Sequence, residues 1–427
     1  MQKKLWVFSL DALGSNDREL FESLPGFSRL IQESSYIPNM RGIYPTLTYP
    51  SHVTILTGRR PSSHGIVNNE RFEPHRVRSE WFWFERLIQG DSLIRAGKRK
   101  GKTIGAFLWP VNAGAKIEAN FAEIFPTQAH HKQLIRSLFN STWNLLLPVE
   151  RKYGHVRKGA KQPELDEYTM GGAKYLLDTI DPDMAFIHLL DIDSSKHLYG
   201  TSSKGCQDAI IRMDQRVQRI LEWRDERKEP IDLVFLSDHS QIDTPKMLYP
   251  LSDFQRKSLL QAEEGRVLDY TLCPHSAGGS CFIYAKNPLD GEKEKKMRDF
   301  LISYMKNQEG IEAVLFQEDL RKEGADPKAF AALEAKKGYA FSAFFEDSPY
   351  AVFEKDHHLA NHGFHPDKPN YDAVFFATGP SFMRGIRLDE RNSLLNIAPT
   401  LSYCHQLGLK APEGQVISEI LNKEALI

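Results

Sequence analysis

Cysteine is scarce in this chain: Cys206, Cys273, Cys281 and Cys404 lie far apart in 427 residues, and none stands in a Cys-x-x-Cys pair. That argues against a disulfide scaffold and a cysteine-built zinc site, and it fits a reducing compartment. Long apolar runs are lacking too. None approaches the roughly 18 residues needed to span a bilayer. The start Met1-Gln2-Lys3-Lys4 is basic like that of a signal peptide, but Asp11 interrupts the apolar stretch behind it. A cytoplasmic protein without a membrane partner is therefore expected. Neither charge is in excess, since 55 Lys plus Arg face 56 Asp plus Glu. No global field would attract duplex nucleic acid, so an anionic small molecule must be drawn by a local site. Internal repeats and low-complexity tracts are absent as well, and nothing speaks to oligomeric state.

What the chain does contain is material for a large core, with 41% hydrophobic and 11% aromatic residues. Short runs rich in Val, Ile and Phe end in polar residues and read as buried parallel strands: Leu5–Leu10, Thr103–Trp109, Met184–Leu190, Asp232–Leu236 and Ala373–Ala377. Helical patterns alternate with them. The expected fold is α/β, an open and mostly parallel sheet with helices on both faces, in one catalytic domain spanning residues 1–427. Segments 120–165 and 255–345 break the alternation with charged helix formers, and are expected to be helical or mixed insertions forming a cap. The run Lys98-Arg99-Lys100 with Lys102 reads as a solvated helix end.

In open α/β sheets, ligands gather beyond the carboxyl ends of strands. Those ends carry Asp11, then Asp193 with His197, then Asp238-His239. Aspartate and neutral histidine are what a divalent zinc ion takes when cysteine is not used. If the chain turns helically, Asp193 and His197 share one face. Taken singly each signal is weak, because an Asp at a strand end usually caps a helix and a lone His usually sits in the core. Their joint order carries the argument, together with the segment from Tyr44 to Asn69, which contains Pro45-Thr46-Leu47-Thr48-Tyr49-Pro50-Ser51-His52, Thr57-Gly58, Pro61 and His64-Gly65-Ile66.

That segment resembles the nucleophile region of the nucleotide pyrophosphatase/phosphodiesterase family of the alkaline phosphatase superfamily, whose pattern is close to Pro-Thr-x-Thr-Phe-Pro-Asn-His. The other stations recur in family order: Ser237-Asp238-His239, Asp193 to His197 with Gly200 in register, and Asn361-His362-Gly363-Phe364. The resemblance implies an alkaline phosphatase-like fold and a phosphodiester or pyrophosphate hydrolase. It makes Thr48 the nucleophile, with Thr46 as the neighbouring competitor, and gives Asn69 contact with a phosphoryl oxygen. One divalent cation would be held by Asp193, His197 and His362. The other would be held by Asp11, Asp238, His239 and Thr48. Zinc is the first choice, and manganese stays open because every ligand is an O or N donor.

Three departures loosen the substrate assignment: Ser51 stands for Asn, Ser240 for Gly and His365 for Asp. His357 and His358 stand nearby, and His358, four residues before His362, competes with it as a ligand; His362 is preferred on motif register, and the two read otherwise as a polar loop. The chemistry is coherent. Coordination activates a threonine hydroxyl without a general base, and two cations about 4 Å apart can stabilise the attacking and leaving oxygens of an in-line displacement. The expected product on the enzyme is a phosphothreonine. The expected partner is a small phosphoester, for example a nucleotide. Rival readings are hydrolysis of phosphonates or phosphomonoesters at the same site, or an inactive binding relative. Trp109, Tyr199 and Phe364 are candidates for a stacking wall, although such residues are more often core.

Overall fold

The computed structural model describes residues 3–125, 133–347 and 358–423. Strand β1 (Lys4–Leu10) is buried from Leu5 onward, and its side chains divide between two cores. Trp6, Phe8 and Leu10 enter one, Leu5 and Val7 the other. A strand whose alternate residues are all apolar needs cover on both faces, at about 1.5–3 kcal/mol for each large side chain buried. That requirement organises the molecule. The strands of the two larger sheets include β2 (Ser35–Arg41), β3 (Ile104–Phe107), β4 (Ala119–Phe121), β5 (Met184–Leu189), β6 (Ile231–Leu236), β7 (Leu272–Ser276), β8 (Ser280–Ala285), β9 (Ile311–Phe316), β10 (Ala331–Ala335) and β11 (Ala373–Thr378).

The central sheet runs β2-β11-β6-β1-β5-β3-β4, with the short strand Ile386–Arg387 outside β2. Around β1 it is parallel, Phe8 lying beside Ile187 of β5 and Phe235 of β6. The expectation fails at Ala373–Ala377: β11 is antiparallel to both β6 and β2. Strand β2 was not foreseen, because Ser-Tyr-Ile-Pro-Asn-Met-Arg carries a proline. Its register with β11 shifts between Met40 and Ile37, so Pro38 falls in an irregularity that excuses its missing donor. Leu108 adopts φ 52°, which ends β3 short of Trp109.

Helix α1 (Thr48–Thr57) and helix Ile397–Cys404 cover one face of the sheet through Ile55, Leu56, Ile397 and Leu401. Helix α2 (Asp191–Tyr199) leads into α3 (Lys204–Asp225), whose Ala209, Met213, Val217 and Ile220 recur at helical spacing against Trp6 and Phe8. The Ser203 hydroxyl caps α3 by accepting from the Cys206 N–H. Segment 255–345 contains a separate antiparallel sheet, β7-β8-β10-β9, covered by helix Gly291–Asn307. Segment 120–165 holds the end of β4 and helices Gln133–Asn140 and Trp143–Tyr153. The basic run behaves as a helix end, with Lys98 paired to Glu118 and Arg99 to Asp91.

Candidate metal centre

Strands β1, β5 and β6 are neighbours, so the loops that leave their carboxyl ends open onto one place. The turn after β1 is tightly specified. Ala12 sits at φ 61°, a conformation that costs a residue with a Cβ about 1–2 kcal/mol. The Lys196 ammonium offsets that strain by bonding the Ala12 carbonyl at 2.8 Å and Asp17 at 2.6 Å, all three groups buried. Beyond β6, Asp238 accepts from the Ala12 N–H through Oδ1 at 3.2 Å, leaving its Oδ2 without a hydrogen bond.

The side chains singled out from sequence form one contiguous cluster. His239 lies at its centre: its Nε2 is 3.1 Å from Asp238 Oδ2, 3.6 Å from Asp11 Oδ1 and 3.1 Å from Thr48 Oγ. Its ring stacks on that of His362 with centroids 4.2 Å apart. His362 Nε2 is 3.9 Å from Asp193 Oδ1, and His197 Nε2 is 3.4 Å from the same oxygen. The His197 Nδ1–H donates to the Ala360 carbonyl at 2.7 Å, which leaves Nε2 facing Asp193. Two overlapping donor groups result, Asp193/His239/His362 and Asp11/Asp238/His239, each with its atoms within 4.8 Å of one another. His239 belongs to both, and His197 reaches the first through Asp193.

The electrostatics demand positive charge. Burial and the Asp193 carboxylate push the Asp11 carboxyl up to about 7, and burial with Asp11 pushes Asp238 well above the usual carboxylate range. The two buried carboxylates, Asp11 and Asp238, stay ionised at neutral pH only with positive charge beside them, while burial keeps His362 (about 4) and His239 neutral and able to ligate. Oxygens without partners, on Asp11 and Asp238, face this cluster. The donor set thus fits a pair of divalent cations.

Thr48 and Thr46 have different surroundings. Thr46 Oγ is consumed by the Phe364 carbonyl, the Tyr371 hydroxyl and the Gly363 N–H. Thr48 is the first residue of α1, at the positive end of the helix, which favours anions. The Asn69 carboxamide oxygen accepts from the next N–H, that of Tyr49, at 2.9 Å. A cavity of about 380 Å³ opens one residue beyond Asn69, lined by Glu70, Phe72, Trp81, Trp83, Phe125 and Phe344 among others. None of the candidate ligands lines it.

Several partners of this cluster were not foreseen. His52 donates from Nδ1 to the Thr48 carbonyl at 2.7 Å and takes Ser9 on Nε2. The Gln241 amide donates to Asp193 Oδ1 at 2.5 Å. His188, inside apolar β5, bonds Asp11. A polar residue in an otherwise apolar buried strand was the available signal for His188. Of the stacking candidates, Trp109 packs edge-on against His52 and Phe364 against Tyr371, both fully buried, whereas Tyr199 is half exposed. The His358 ring lies 4.5 Å from that of His197, and His357 falls outside the described residues. A third donor group, Glu323/His365/Asp367, is bridged by the Arg41 guanidinium. All four cysteines are free and buried. Among the described residues, no helix is long and apolar enough to cross a membrane.

The chain is similar to known proteins along most of its length. Ectonucleotide pyrophosphatase/phosphodiesterase family member 1 of Rattus norvegicus is 23% identical over 96% of this chain and 41% of its own length. The Homo sapiens member is 28% identical over 55% of this chain and 23% of its own. Venom phosphodiesterase 2 of Crotalus adamanteus is 22% identical over 61% of this chain and 30% of its own. The chain therefore spans about two fifths or less of these relatives. Murine ectonucleotide pyrophosphatase/phosphodiesterase 5, solved as an inactive variant with AMP, superposes with TM-score 0.67 at 18% identity over 99% of this chain and 100% of that one. This likeness is one of fold. A model of the type I phosphodiesterase / nucleotide pyrophosphatase family matches residues 5–364, and because it takes in most of the chain, the chain belongs to that family.

Proposed function

We propose that this protein hydrolyses phosphodiester or pyrophosphate bonds with two divalent cations, zinc or manganese, and Thr48 as nucleophile. The observation that carries this reading is the cluster of Asp11, Asp193, Asp238, His197, His239 and His362, which meets the Thr48 hydroxyl through His239. In this reading Asp193, His197 and His362 hold one cation, and Asp11, Asp238, His239 and Thr48 the other. The cations supply charge neutralisation for the phosphoryl oxygens and for the threonine oxygen. The Thr48 Oγ attacks phosphorus, its proton leaving to solvent, and the bond to the leaving oxygen breaks with its electron pair. A phosphothreonine results, and water then cleaves it to release the second product.

The other residues orient and stabilise. The Asn69 amide, its oxygen already engaged by the Tyr49 N–H, can donate its N–H to an equatorial phosphoryl oxygen. The aromatic cavity beyond Asn69 suits a flat leaving group, and the AMP complex of the murine relative favours a nucleotide. We treat residues 1–427 as one catalytic domain, with 120–165 an insertion and 255–345 its cap. The relatives' names point to ectoenzymes and venom enzymes, which gives the expectation of a cytoplasmic protein no support.

The test is turnover of a chromogenic phosphodiester, phosphomonoester and phosphonate by metal-loaded and metal-stripped protein. Fastest cleavage of the diester, lost on stripping and restored by zinc or manganese, is expected. Metal-loaded protein that cleaves none of the three would leave only the inactive binding relative.

A further inference from the structure

Asp11 offers its two oxygens to different neighbours. Oδ1 has no hydrogen-bond partner and looks toward His239 Nε2 at 3.6 Å. Oδ2 is taken by His188 Nε2 at 3.1 Å. His188 belongs to β5, where it pairs in register with Ser9 of β1, so its side chain shares a sheet face with Ser9 and Asp11. On its far side, Nδ1 lies 3.8 Å from Oε2 of Glu123, which stands two residues beyond β4. His188 is fully buried and Glu123 only 4% exposed. Neither His188 Nδ1 nor Glu123 Oε2 has a hydrogen-bond partner.

A histidine and a glutamate buried in this way are an expensive means of filling space. Buried polar atoms without partners destabilise a fold, and an apolar pair of similar volume would avoid that cost. A core histidine that merely satisfied itself would have both nitrogens bonded. Here one nitrogen is committed to Asp11, and the other is set opposite a carboxylate and against the His52 ring, whose centroid is 4.5 Å away. The arrangement holds the imidazole in one orientation and thereby holds one oxygen of Asp11 while the other faces the cluster. Asp238 repeats the pattern, with Oδ1 tied to the Ala12 N–H and Oδ2 left open.

We infer that His188, backed by Glu123, is a positioning residue that fixes the Asp11 carboxylate for single-oxygen coordination of one of the two cations. This rests on the two-cation reading above. A carboxylate with one oxygen tied loses less rotational freedom on binding, and partners of this kind are worth roughly 10–100-fold in cation affinity. It also gives segment 120–165 a part in the site, since Glu123 comes from it.

The test is a chelator-competition titration of metal-free protein with zinc, alongside the visible spectrum of the cobalt(II) form. Wild type, His188→Leu, His188→Gln and Glu123→Gln are compared. His188→Leu is expected to weaken one of the two sites by roughly 10–100-fold and to change the cobalt bands of that site, with the other site spared. His188→Gln keeps a side-chain donor and is expected to recover part of the loss, and Glu123→Gln to show a smaller loss at the same site. Wild-type affinity at both sites in a folded His188→Leu protein would overturn the inference. Should that variant not fold, unchanged affinities in Glu123→Gln would overturn it instead. Fewer than two sites in the wild type would sink the two-cation reading itself, an outcome distinct from either.

Discussion

At the scale of single residues, two threonines two positions apart have opposite surroundings. Thr48→Ala is expected to leave fold and cation content intact and to lower turnover by several orders of magnitude, while Thr48→Ser keeps part of the activity. Thr46→Ala takes the buried partner from the Tyr371 hydroxyl and the Phe364 carbonyl, while the Gly363 N–H keeps the Thr46 carbonyl, so it is expected to lose about 1–3 kcal/mol of stability. Kinetics and thermal melts on the three variants check this. Loss of turnover in Thr46→Ala alone, with that protein folded and loaded, would move the nucleophile two residues. Protons compete with cations at the same atoms. Asp11, raised to about 7, must be ionised to ligate, so cation affinity is expected to fall as pH drops from 8 through 7 to 6. His362, lowered by burial to about 4, lies below that window, and burial lowers His239 in the same direction. Zinc titrations at those three pH values measure it, and a flat profile would contradict the raised carboxyl. Thr48 was legible because it stands inside a long motif. His188 and Gln241 were not, because what they do depends on a neighbour more than 40 residues away in sequence.

At the scale of elements, the strand ends were legible and the pairing was not. Leu5–Leu10 and Met184–Leu189 announce themselves by apolar runs broken only at Ser9 and His188, yet Ala373–Thr378 is just as apolar and runs the other way. Apolar composition says that a strand is covered on both faces, not which direction its neighbour takes. The loop that presents His362 shows how little tolerance such placement leaves. Gly363 has φ 85°, and a Cβ there would stand 1.6 Å from the Ala277 carbonyl oxygen. Gly363→Ala is expected to destabilise by about 1–3 kcal/mol or more and to displace His362. Thermal melts of metal-free protein with zinc stoichiometry read both effects, and a variant with wild-type melting and full zinc binding would show that the loop can yield.

At the scale of the whole molecule, the cations and the fold should support one another. The candidate ligands come from the ends of β1 and β6, from α1 and α2 and from the His362 loop, so cation binding would tie together distant parts of the chain. Chelation is expected to abolish turnover and to lower the melting temperature by several degrees, since cations at 100 times their dissociation constant contribute about 2.7 kcal/mol. Scanning calorimetry before and after chelation checks this, and identical melting curves would mean the cluster does not hold cations in solution. Several things could be read from the linear chain: the alternation of buried strands with helices, the family pattern around Thr48, and the residue types able to hold divalent cations. All of these are local patterns, set by side-chain chemistry and period. The tertiary structure alone decided the rest. It made β11 antiparallel, consumed the Thr46 hydroxyl, put His239 at the middle of the donors, and brought His188 between Asp11 and Glu123. Those outcomes depend on which distant segments meet, and that is settled by packing both faces of one sheet at once.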